Sequence, residues 1–346
     1  MLNLTQFGRW LFLFFLLNAA VIITPAQTNA ARWEAAANYS ERQRGEAFLV
    51  YENGEIVYEA YTNGYAAESR HVLYSGTKSF SCAMATKAVE QGLLAWDERV
   101  SDTLTEWAAD EQLRDVTLRQ VLSLTSGLPN ENSLSTRLVR DKLAVTLGLE
   151  PIYPPGERFM YGAPNFYIFG ELLRRKLPTG DALEYLKAEI LDPIGLIDWE
   201  MDSDRTGTPN FASGFKMTAR DWLKYGQLIL NRGMWEGEQV LDFDVFQTCF
   251  LGTPANPYYG LTWWLAYDVD QMPTHIEQYT RTSPIPADFT EPIVLGETQP
   301  TVWIAAGAFD QRLYIIPDRN LIVVRFSRDS ARFSDQTMLQ FILDAQ

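Results

Sequence analysis

With 346 residues, 47% of them hydrophobic and 13% aromatic, the chain can bury one large core or two coupled ones. Its formal net charge of −15, from 29 Lys plus Arg against 44 Asp plus Glu, argues against nucleic acid and anionic membrane surfaces as partners. Two histidines, His71 and His275, are too few for most metal or triad mechanisms, and no His/Cys/Asp cluster has metal-ligand spacing, so no cofactor is expected.

In chain order, Arg9 precedes an apolar run from Trp10 to Ile23, followed by small residues around Pro25-Ala26 and Thr28-Asn29-Ala30-Ala31. That succession reads as a secretory signal peptide over residues 1–30, too short for a comfortable membrane span and interrupted by Asn18. An exported, periplasmic or secreted protein is expected, with no stable membrane insertion once the leader is cleaved. Ala47–Tyr51 and Ile56–Tyr61 then read as strands joined by the Asn53-Gly54 turn of a tight hairpin.

From residue 75 the periodicity becomes helical, with helices expected at Ser75–Glu90, Thr117–Leu124, Thr136–Leu147, Asn165–Lys176, Ala182–Leu191 and Ala219–Asn231. β patterning returns at Tyr259–Leu265, Thr301–Ala306, Arg312–Ile316 and Leu321–Phe326, and Asp335–Leu343 reads as a closing helix. Strands at both ends imply an α+β fold: one antiparallel sheet (about 45–74 and 255–346) flanked by helices, with a large helical region (about 75–254) inserted. The stretch from Asp268 to Pro300 has little periodicity and reads as a long loop near the site. Cys82 and Cys249 are expected to be buried and unpaired, since a chain of this size needs no disulfide.

Ser75-Gly76-Thr77-Lys78 is the chemical centre of the sequence. Positions i and i+3 share a helix face, so the Lys78 amine can reach the Ser75 hydroxyl. The helix N-terminus favours the negative charge that develops when Ser75 attacks a carbonyl. Alone, the tetrapeptide is as consistent with a serine cap and an exposed lysine. Tyr161, at a loop tip after Pro155-Gly156, is either a packing residue or a proton carrier. A phenol held near two cations gives up its proton more readily. Ala305-Ala306-Gly307-Ala308 either bends a packed strand or supplies a backbone N–H to an oxyanion hole. No Gly-x-Ser-x-Gly elbow occurs; Ser213 in Phe211-Ala212-Ser213-Gly214-Phe215 misses it.

Together these segments resemble the serine β-lactamase and penicillin-binding-protein superfamily. They are most similar to its class C β-lactamase-related branch of esterases, D-amino-acid peptidases and nylon-oligomer hydrolases. The resemblance runs from about Glu46 to Phe326 through Leu124–Leu128, Pro155–Tyr161, Thr218–Asp221, Tyr259–Trp264 and Gln311–Pro317. It implies a β-lactamase/transpeptidase-like fold over residues 31–346. It also implies Ser75 as acylated nucleophile, Lys78 as its base, Tyr161 as proton shuttle, and an oxyanion hole from the N–H groups of Ser75 and Ala308. Gly307, Arg312 and Trp263 are candidate substrate contacts, and Trp263, Trp264 and Trp303 could line an apolar acyl pocket, though a salt bridge and core packing are the commoner roles of such an Arg and of any single Trp. The family's Tyr-x-Asn is Tyr161-Gly162-Ala163 here, and its Lys/His-x-Gly is Ala305-Ala306-Gly307. That loss turns the expectation from β-lactams toward a small ester or simple amide. The alternatives are a D-amino-acid peptidase or oligoamide hydrolase, a weak β-lactamase, and a penicillin-binding-type protein with little turnover. The oligomeric state is left open.

Overall fold

Hydrogen-bond pairing of the two chain ends organises the molecule. In the computed structural model, which describes residues 25–268, 294–295, 301–328 and 332–343, strand Gly45–Glu52 lies between its hairpin partner Glu55–Tyr61 and the C-terminal strand Leu321–Ser327. The sheet continues through Gln311–Ile316, Val302–Gly307 and Trp264–Asp268, antiparallel throughout, and ends on the short parallel strand Val294–Leu295. This is the α+β arrangement expected from strands at both termini.

The central strands are buried on both faces, and their period-two alternation feeds two cores. Phe48, Val50, Tyr314, Ile316 and Val323 meet Trp33, Ala36, Met338, Leu339 and Ile342 on one side. Ala47, Leu49, Leu313, Ile315, Val324 and Phe326 face the inserted helical region on the other, where Trp222 stacks on Phe326.

The first of those helical covers, Pro25–Arg42, went unforeseen: its apolar positions 33, 36 and 37 have helical spacing, but they abut the stretch read as a leader. The closing helix Asp335–Leu343 is where it was expected. Other elements differ from expectation. The helix read over Thr136–Leu147 is confined to Lys142–Leu147, because Asp141 caps it by accepting the Ala144 N–H at 2.8 Å. The strand read over Tyr259–Leu265 begins only at Trp264. Thr262 is left-handed (φ 75°) and Gly260 lies so close to the Cys249 carbonyl that a Cβ would sit 2.1 Å from it. The loop read over 268–300 lies almost wholly outside the described residues. Among the described residues no helix is long and apolar enough to cross a membrane.

The cysteines correct the sequence reading. Cys82 and Cys249 form a disulfide, with Cα atoms 6.1 Å apart and 167 residues of sequence between them. It ties helix Lys78–Glu90 to the Phe243–Phe250 segment, a contact made only by the tertiary fold. Closing so long a loop restricts the unfolded chain strongly. Replacing both cysteines by alanine is expected to cost about 2–5 kcal/mol, read as a lowered denaturation midpoint; an unchanged midpoint would refute a stabilising role.

Candidate active site

The Ser75 segment enters the junction between sheet and helical region through a strained residue. Tyr74 is left-handed at φ 48°, and Tyr74–Thr77 forms a tight 3-10 turn, so the α-helix proper starts at Lys78 rather than Ser75. Gly76 is there for packing: a Cβ would fall 2.8 Å from Cζ2 of Trp222. Thr77 Oγ1 accepts the Phe215 N–H at 3.1 Å, locking the turn to the neighbouring strand. Gly76 and Thr77 thus hold the turn while the side chains of positions 75 and 78 remain for chemistry.

Lys78 is buried, and its Nζ donates to Ser75 Oγ at 3.0 Å and to the Ala212 carbonyl at 2.7 Å. The amine also lies 5.1 Å and 4.9 Å from the ring centres of Tyr161 and Phe166. Among the described residues no carboxylate pairs with it, and burial alone draws its pKa down from the usual lysine range to about 7.

Tyr161 arrives from the loop opened by Gly156 (φ 88°), anchored by the Met160 N–H to the Leu124 carbonyl at 2.8 Å, and leads into helix Pro164–Lys176. Its phenol hydrogen-bonds Ser75 and the Trp264 side chain. Burial pushes its pKa up to about 12, outweighing those hydrogen bonds and the charge of Arg312. This reverses the expectation of a readily ionised phenol: Tyr161 is protonated at neutral pH.

The oxyanion-hole candidates meet at the same place. Gly307 ends strand Val302–Gly307 against the Leu73 carbonyl, so close that a Cβ would lie 2.0 Å from that oxygen. Ala308 follows, and Phe309 and Asp310 are left-handed (φ 58° and 63°). Gln311 Nε2 ties the corner by donating to the carbonyls of Phe309 at 2.8 Å and Ser327 at 2.7 Å. Ser75, Lys78, Tyr161 and Ala308 all line one cleft of about 1050 Å³.

The other named candidates lie off its walls. Gly307 is turned to Leu73. Arg312 is buried in a two-pronged pair with Asp335 (2.7 and 2.8 Å), and its Nη1 donates to the Gly307 carbonyl at 3.0 Å, steadying the corner. Trp263 is fully buried against Tyr225 and Phe250; along the chain it is Trp264 that reaches the site. Asn165 is buried with its Oδ1 on the Ser126 hydroxyl at 2.6 Å, so it does not replace the missing amide. Asn130 comes closer to doing so, since it lines the cleft and a Cβ on Gly162 would sit 2.7 Å from its Oδ1. Its place after Ser126-Gly127-Leu128-Pro129 was the available signal. Among the described residues no group of three or more His, Cys, Asp or Glu is arranged to hold a metal.

A mostly antiparallel sheet built from both chain ends, with an inserted helical region and a Ser-x-x-Lys turn at their junction, is the β-lactamase/transpeptidase-like fold. The chain belongs to the Beta-lactamase family, whose model matches residues 30–346. It is 22% identical over 192 residues to Protein flp of Staphylococcus aureus (strain MRSA252), covering 50% of this chain and 38% of that protein. It is 28% identical over 160 residues to lovastatin esterase of Penicillium rubens, covering 37% of this chain and 39% of that one. The matched regions thus span less than half the length of these curated relatives. Among solved structures it resembles EstCE1, described as a hydrolase with promiscuous acyltransferase activity, with TM-score 0.69 and 16% identity over 92% of this chain and 98% of that chain.

Proposed function

We propose that the protein is a serine hydrolase that cleaves a carboxylic ester or simple amide through an acyl-enzyme on Ser75. The observation that carries this reading is the buried Lys78 amine, 3.0 Å from Ser75 Oγ and, among the described residues, with no carboxylate to hold its proton. Neutral Lys78 takes the Ser75 proton as Oγ adds to the substrate carbonyl, and the Ser75 and Ala308 N–H groups receive the oxyanion. Collapse of that adduct breaks the bond to the leaving group, which is protonated through Tyr161, and water then releases the acid by the reverse sequence. Esterase relatives support the reaction class. The apolar leader, together with a disulfide of the kind that persists in oxidising compartments, supports export to the periplasm or beyond. A fluorophosphonate probe tests the nucleophile: intact-mass and peptide mapping should show one adduct, on Ser75. Labelling elsewhere, or none, would exclude an acyl-enzyme at this serine.

A further inference from the structure

Beyond the reacting groups, the cleft carries a second chemical feature: cations that make no ion pair among the described residues, in a chain of net charge −15. Lys142, at the start of helix Lys142–Leu147, lines the same cleft as Ser75 and is only 8% exposed. Among the described residues its amine makes neither a hydrogen bond nor an ion pair; only its backbone N–H is engaged, by Asp204 Oδ2 at 2.8 Å. The two carboxylates whose charge reaches it are occupied elsewhere. Asp204 Oδ1 accepts from the Thr206 N–H, the Thr206 hydroxyl and the Thr208 N–H at 2.7–3.0 Å, and Asp202 is held by Lys216 at 2.9 Å. Glu131, the remaining carboxylate of the lining, caps the Ser133 N–H at 2.9 Å. Arg137 and Arg205, exposed at the cleft mouth, likewise have no ion pair among the described residues. The aliphatic stem of Lys142 is packed while its amine opens on the cleft, so an anion entering there meets a cation with no direct counter-ion among the described residues. Burial disfavours its charged form, and the two aspartates only partly compensate.

We infer that the cleft selects substrates carrying a free carboxylate, which Lys142 binds while Arg137 and Arg205 draw it in at the mouth. This rests on the acyl-enzyme reading only for the reaction that follows; the anion site itself is a binding property. An ammonium–carboxylate contact in the cleft is charge-assisted, a bond that the uncharged isostere cannot make.

The test compares p-nitrophenyl glutarate (the mono-ester) with p-nitrophenyl valerate, and 4-acetoxybenzoate with its methyl ester, so that the charge lies on the acyl side or on the leaving-group side. Wild-type kcat/KM should favour the charged member of at least one pair by about tenfold or more, and Lys142→Met should reduce that ratio by about tenfold. Lys142→Arg should keep most of the preference. A ratio does not depend on the folded fraction of a preparation. High salt should weaken the contribution of the exposed arginines more than that of Lys142. No preference in either pair, or a ratio unaltered in Lys142→Met, overturns the inference while leaving ester cleavage intact. If no ester is turned over at all, the acyl-enzyme reading fails separately. Calorimetry of glutarate on the Ser75→Ala protein then decides the anion site, with binding lost in Ser75→Ala/Lys142→Met supporting it and no binding to Ser75→Ala refuting it.

Discussion

Ser75→Ala is expected to lower kcat/KM for a neutral p-nitrophenyl ester by at least about 10³-fold, and by up to about 10⁶-fold. The reason is structural. Ser75 Oγ is the hydroxyl bonded to the buried amine of Lys78 and to the Tyr161 phenol, so its removal leaves a proton route with nothing to deprotonate. Binding and backbone donors survive, which is why a small residual rate is expected rather than none. Lys78→Ala should cost nearly as much, and the double variant little more than either single one, because nucleophile and base act as one unit. Full esterase activity in purified Ser75→Ala protein would sink the assignment. Turnover in Lys78→Ala unchanged from wild type would transfer the base role elsewhere.

Features whose physics is local could be read in the sequence before any coordinates. Helix spacing puts positions 75 and 78 on one face, the Asn53-Gly54 turn announces its hairpin, and the β patterning at 312–316 and 321–326 announces strands. What stayed hidden depends on contacts between distant segments. Nothing near Cys82 says that a residue 167 positions away will lie against it. Arg312 looked available as a charge because Asp335, its partner, belongs to a helix 23 residues later. Trp263 and Trp264 are indistinguishable as letters; the turn at Thr262 decides which enters the core and which bonds Tyr161. The ionisation of Tyr161 was misjudged for the same reason. Neighbouring cations can be anticipated from motifs, but desolvation, the larger effect here, is a property of the assembled site.

Burial of Lys78 makes activity a function of pH in a definite direction. An exposed lysine near 10.4 is unprotonated in only about one molecule in 10³ at neutral pH. With its pKa drawn to about 7, close to half of the Lys78 amines are free bases there. Below pH 7, kcat/KM for an uncharged ester should therefore fall about tenfold per pH unit. Above it the profile should flatten, since the Tyr161 phenol titrates only at about 12. The same shift acts on stability with its own sign. Between about pH 7 and the unperturbed lysine value of 10.5, the unfolded chain binds a proton that the folded chain does not. The Lys78 contribution thus favours folding more as pH rises through that window, and its penalty is fully present below pH 7. Lys78→Met removes both effects: activity is lost, and the variant should show a smaller gain in unfolding free energy from pH 7 to pH 10 than wild type. Wild-type kcat/KM constant from pH 5 to 9 would mean that no base titrating near 7 limits the reaction and would remove Lys78 from that role, whereas identical stability profiles for the two proteins would mean that burial does not draw the Lys78 pKa down.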